Sequence, residues 1–98
     1  MESTVQLEIV TPKEIFYSGE VEMLIVKSEE GYEGFLPHHQ WAIKLLTKEG
    51  RLKIREAGAP AGPAGLRTAE VRGGVVEIRD HFMVYVDEAK WIDGESGS

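Results

Sequence analysis

The sequence predicts an all-β fold, a sandwich or barrel of eight to ten short strands in two sheets, on three observations. Apolar and polar residues alternate along most of the chain, the period-two spacing that turns one face of a strand toward a core. Turn residues punctuate these runs at close, regular intervals, as they do in sandwiches and barrels. No segment carries the helical pattern of roughly 10–15 residues that a βαβ unit would need between strands.

The elements follow in order. In "TVQLEIV", Val5, Leu7 and Ile9 alternate with Gln6 and Glu8, which predicts a half-buried strand. Pro12 and Ser18-Gly19 mark turns on either side of the aromatic stretch Phe16-Tyr17. "EVEMLIVKS" is apolar on both faces, with Val21, Met23 and Ile25 on one and Leu24 and Val26 on the other, as expected of an interior strand. "WAIKLL" reads as an apolar strand with Trp41 in the core. "RLKIRE" alternates Leu52 and Ile54 with basic residues, and "LRTAEVR" and "GVVEIRD" repeat the pattern. "HFMVYVDE" sets Phe82, Val84 and Val86 on one face, with Met83 and Tyr85 on the other. Gly73-Gly74 and Asp80-His81 are turns. Ala57 to Gly65, built only from Ala, Gly and Pro, is expected to be a mobile loop between two strands, and its uneven glycines exclude collagen.

At 98 residues the chain holds one domain with one modest core. The expected boundary is at residue 90, with 91–98 a polar, disordered tail. Trp91 is expected to pack over the open end of the sandwich. A formal charge of −6 argues against nucleic acid, which demands a basic face, and against adhesion to anionic lipid. The absence of cysteine excludes disulfides and thiolate metal sites. The opening residues do not read as a signal peptide, and no apolar run approaches the length of a membrane span.

The densest candidate site is "EEGYEGFLPHHQW", Glu29 to Trp41. His38 and His39 are neighbours in an extended segment, so their side chains diverge and do not converge on one ion. A third ligand is lacking nearby, because His81 falls in a distant turn. The two glycines of "EEGYEG" suggest a phosphate cradle, but Glu29, Glu30 and Glu33 would repel the anion. Nucleotide binding therefore fails on sign. A paired-carboxylate active site needs a cleft that so small a sandwich has little room for. The acids make better sense as a contact loop that steers a basic partner.

Taken together, "LEIVTPKEIFYSGEVEMLIV", "SEEGYEGFLPHH", "GRLKIRE" and "GGVVEIRDHFMVYVDEA" resemble the epsilon subunit of F-type ATP synthases. The resemblance runs from about residue 6 to residue 89 and covers the N-terminal domain of that family. It implies a flattened β-sandwich of about ten strands without an active site or cofactor of its own. The family's subunit sits in the rotating central stalk, bound to the gamma subunit and resting on the membrane c-ring, and couples proton or sodium flow to ATP synthesis. The implied location is the face of a membrane, cytoplasmic if the source is bacterial. The loops matching the family's ring-facing surface are Glu29, Glu30, Gly31, Tyr32, Glu33, Gly34, Pro37, His38 and His39.

The departures are specific. The family usually reads Gly-His-Ala-Pro after Leu-Pro, and here His38, Gln40 and Trp41 replace the first, third and fourth of these. Ile92-Asp93 resembles the opening of the family's C-terminal Ile-Asp-x-x-Arg-Ala segment, but the Arg and Ala are absent. Nucleotide sensing by the family's C-terminal helices is therefore not carried over. Two other readings stay open: a free-standing β-sandwich adaptor for an unrelated partner, and a small enzyme using His39 with Glu33.

Overall fold

The computed structural model describes residues 4–92. Nine strands form in chain order: β1 (Val5–Val10), β2 (Ile15–Ser28), β3 (Gly31–Phe35), β4 (Ala42–Leu45), β5 (Gly50–Glu56), β6 (Leu66–Arg72), β7 (Val75–Ile78), β8 (Phe82–Tyr85) and β9 (Glu88–Trp91). A single 3₁₀ turn, Pro63–Gly65, precedes β6. The expected tail beyond residue 92 lies outside the described residues. Trp91 does not belong with it, because it is the last residue of β9.

One continuous sheet folds over itself through β2. The first half of β2 pairs antiparallel with β1, and the second half pairs with β3 and β5. The first layer is therefore β4-β7-β8-β1-β2 and the second is β3-β2-β5-β6-β9. Only β1 and β8 run parallel. The layers meet through Leu7, Ile9, Val76, Ile78, Phe82 and Val84 from one side and Leu24, Val26, Phe35, Leu52, Ile54 and Ala69 from the other. Phe35 and Phe82 touch edge to face across the interior, with ring centroids 6.5 Å apart. Each such ring contributes roughly 1.5–3 kcal/mol by leaving water.

The alternation in β1, β5 and β8 is as expected. In β2 it is not. Val21 and Leu24, three residues apart, are both fully buried, while Met23 and Ile25 are only half-buried. The register against β5 shifts between Val21 and Met23. A bulge there adds one residue, bends the strand and carries it from one layer to the other. This is why Val21 does not share a face with Met23 and Ile25.

The open end of the sandwich is plugged by aromatic and charged side chains. Trp91 stacks on Phe16 at 4.9 Å and meets Tyr17 edge-on at 5.8 Å. The Arg67 guanidinium lies 3.8 Å from the Trp91 ring centroid, a cation–π contact. The Tyr17 hydroxyl donates to Glu56 at 2.9 Å. Burial first, then this hydrogen bond and the Glu56 charge, push the Tyr17 phenol up to about 12, against the opposing Arg67 charge.

Candidate functional site

The β2–β3 hairpin presents the acids. Glu29 and Glu30 occupy the turn, both exposed, and Gly31 follows with φ +111°. That φ is open to glycine and costly for a residue with a Cβ, so the turn is sequence-encoded. The Ser28 hydroxyl accepts from the Glu30 amide at 3.1 Å and fixes the turn from within. Glu33, two residues along β3 from the closing glycine, is not free. Its carboxylate lies 3.6 Å from Lys44 of β4, tying the edges of the two layers together.

The expected contact residues separate in space. Glu29, Glu30 and Gly31 stand at one end of β3, and Pro37, His38 and His39 follow its other end. Five residues of strand at roughly 3.4 Å each part them. Tyr32 and Gly34 point away from the core on the strand between. At the far end, the His39 amide donates to the Leu36 carbonyl at 3.2 Å, closing a turn with Pro37 and His38 at its centre. His38 has φ +71°, the only non-glycine positive φ among the described residues. Pro37 followed by a positive φ is the arrangement of a type II turn. The His39 ring packs edge-on against Phe35 at 4.8 Å, and its Nδ1 donates to the Gln40 carbonyl at 2.6 Å. His39 is thus a half-buried packing group, whereas His38 is exposed.

Other loops join the Glu29–Glu30 turn. The Thr47 amide donates to Lys27, and the Gly73 amide to both Thr47 and Lys48. Arg72 bridges Glu49 and Glu88, each at 3.7 Å, and the Asp87 amide donates to the Arg72 carbonyl. Gly74, with φ +121°, brings this turn so close to Tyr85 that a Cβ would fall 1.9 Å from its carbonyl oxygen. The resulting rim carries Glu29, Glu30, Glu49, Asp87 and Glu88 against Lys48 and Arg72. Its electrostatic character is acidic.

A second surface was not legible in the sequence. Trp41, expected in the core, is 65% exposed, and Ile43 and Leu45 are 60% and 73% exposed. Ala42 and Leu46 pack inward instead, which turns the alternate residues of β4 to the outside. Cross-strand register then aligns Leu45 with Val75, Val75 with Tyr85, Tyr85 with Val10 and Val10 with Ile15. An apolar band consequently crosses all five strands of the first layer on its outer face. Ile43, Met83 and Trp41 border it, and the Arg79 guanidinium lies 5.6 Å from the Trp41 ring centroid. A continuous apolar patch on a small domain marks an interaction surface. Among the described residues, no group of three or more His, Cys, Asp or Glu side chains is placed to hold a metal ion.

Comparison with known proteins is consistent across sequence and fold. Residues 4–92 match the family described as ATP synthase, Delta/Epsilon chain, beta-sandwich domain. The ATP synthase epsilon chain of Alkaliphilus oremlandii is 36% identical over 92 residues, covering 93% of this chain and 63% of that protein. The corresponding chain of Leptospira interrogans (serovar copenhageni) is 36% identical over 78 residues, covering 80% and 56%. The chain thus spans about six-tenths of the length of these relatives. Among solved structures, a chain of the Euglena gracilis mitochondrial ATP synthase (OSCP/F1/c-ring) superposes with a TM-score of 0.78 at 20% identity, over 97% of this chain and 59% of that one. A chain of the Tetrahymena thermophila mitochondrial ATP synthase central stalk and c-ring gives 0.69 at 18% identity, over 87% and 64%. At these identities the structural matches establish a shared fold.

Proposed function

The chain belongs to the ATP synthase delta/epsilon β-sandwich family, and from that premise we propose that it is a non-catalytic central-stalk subunit of an F-type ATP synthase. In this reading it joins the gamma subunit to the c-ring, transmits torque from proton or sodium translocation, and resides in the membrane-attached complex on the side where the catalytic head lies. The observation that carries the proposal is the apolar band Leu45–Val75–Tyr85–Val10–Ile15 across the first layer. A surface of that kind suits a permanent neighbour more than a transient one, because stable interfaces bury apolar area at their centres.

The gamma subunit is the proposed occupant of that band. The acidic rim around Glu29 and Glu30 suits the polar loops of a c-ring, where basic residues would meet opposite charge. Because Pro37–His39 follow the other end of β3, they are assigned to contacts apart from the ring-facing turn. Glu33, already engaged by Lys44, serves the fold as well as any partner.

Calorimetric titration of the chain into purified gamma subunit tests this directly. One-to-one binding without nucleotide or metal is expected, and Leu45→Glu should weaken it at least tenfold, about 1.4 kcal/mol. Leu45 is largely exposed, so the substitution should leave the circular dichroism spectrum unchanged. Undiminished affinity in a folded Leu45→Glu protein would remove the band from the interface.

A further inference from the structure

The chain is acidic overall, yet the outer face of its second layer is basic. Alternation along β5 points Arg51, Lys53 and Arg55 outward while Leu52 and Ile54 are fully buried. Lys53 stands opposite Ile25 of β2, and Arg55 opposite Met23. Lys27 extends the same face at the next outward position of β2, its ammonium 5.7 Å from the Tyr32 ring centroid. Four cations thus cluster on two adjacent strands, beside the half-buried apolar surface of Met23 and Ile25.

These cations are not consumed by the fold. Among the described residues, no carboxylate lies within ion-pair distance of Lys27, Arg51, Lys53 or Arg55, whereas Arg67, Arg72, Arg79 and Lys44 each have a carboxylate partner. Arg55 donates to the Pro60 carbonyl, which leaves its charge uncompensated. Arg51, Lys53 and Arg55 stand at alternate positions of one strand, with Ile25 and Met23 opposite Lys53 and Arg55 on β2 and the carboxylate of Glu70 on β6 in register with Arg51 alone, so most of the positive charge of this face is left for an anionic partner to offset.

We propose that this face docks an acidic polypeptide segment, at a site separate from the apolar band and the acidic rim. Outward residues of β5 recur about every 6.8 Å. Carboxylates at alternate positions of an extended segment match that interval, and those at i and i+4 of a helix come near it at about 6 Å. The face also favours a narrow ligand over a membrane. Glu30 borders it at one end, Glu70 stands in register between Arg51 and Lys90, and Glu49 and Glu88 flank Arg72 beyond, so a broad anionic bilayer would meet these carboxylates together with the net charge of −6. A segment one strand or helix wide fits along the cationic column between them. Met23, Ile25 and Tyr32 then supply apolar contact alongside.

The test titrates the whole chain with three probes at low salt, followed by calorimetry and amide chemical shifts. They are a twelve-residue peptide with glutamate at alternate positions, its glutamine counterpart, and phosphatidylserine-containing vesicles. The glutamate peptide should bind at least tenfold more tightly than the glutamine peptide, with shifts centred on Lys27, Arg51 and Lys53. Arg51→Glu with Lys53→Glu should weaken it at least tenfold, whereas Arg79→Glu, one charge reversal of the same kind on the other layer, should alter affinity less than twofold. Arg51→Gln with Lys53→Gln, a milder pair, should give an intermediate loss. Equal binding of the two peptides, shifts centred elsewhere, or vesicle binding without peptide binding would each overturn the proposal.

Discussion

His38→Gly should stabilise the protein. His38 holds φ +71° at the third position of the Leu36–His39 turn, a place that a type II turn ordinarily gives to glycine. A residue with a Cβ pays about 1–2 kcal/mol in the left-handed region. Glycine avoids that cost but loses about 0.5–1 kcal/mol more chain entropy on folding. His38 is exposed, so little packing is forfeited. The net gain is about 0.5–1 kcal/mol, and at about 4–8 °C per kcal/mol for a domain of this size the melting temperature should rise by about 2–8 °C. Thermal and urea unfolding measure it, with His38→Ala as the companion because alanine keeps the Cβ and therefore the strain. A gain for glycine and none for alanine is the expected pair of results. Equal shifts for both variants, or destabilisation by glycine, would refute backbone strain as the reason. The same position is where the family resemblance leads one to expect Gly.

Other expectations follow from the plug and the rim. Tyr17→Phe should cost about 1 kcal/mol at neutral pH, the net worth of a typical hydrogen bond, through loss of the donation to Glu56. Because the folded phenol titrates at about 12 against an ordinary value of 10, the unfolded chain releases its proton first. Native stability should therefore fall as pH rises from 10 toward 12, and denaturant titrations should show that decline flattened in Tyr17→Phe. Glu29→Gln with Glu30→Gln should weaken attachment to a c-ring in co-sedimentation near 0.05 M salt, and much less at 1 M, where the Debye length is about 3 Å. Equal loss at both salts would remove the electrostatic part of the ring-facing assignment.

The sequence by itself determined the existence of most strands and much of the core. Val5, Leu7 and Ile9, Leu52 and Ile54, and Phe82, Val84 and Val86 are all buried as their alternation requires, because side-chain direction along a strand is a local property of the backbone. The turns at Glu29–Glu30 and Gly73-Gly74 were legible for the same reason, since positive φ is written in glycine. The resemblance to the epsilon family was also carried by short local motifs and is matched by the family assignment of residues 4–92. Which face of β4 turns outward was not legible. Ala42 and Leu46 won the interior over Trp41, Ile43 and Leu45, and alternation alone is symmetric between two apolar faces. The bulge at Val21–Met23 escaped too, because it answers to the joining of two layers. Above all, the apolar band and the cationic column are products of register between strands distant in sequence. Period two says where each side chain points, but only the folded sheet decides which others stand beside it.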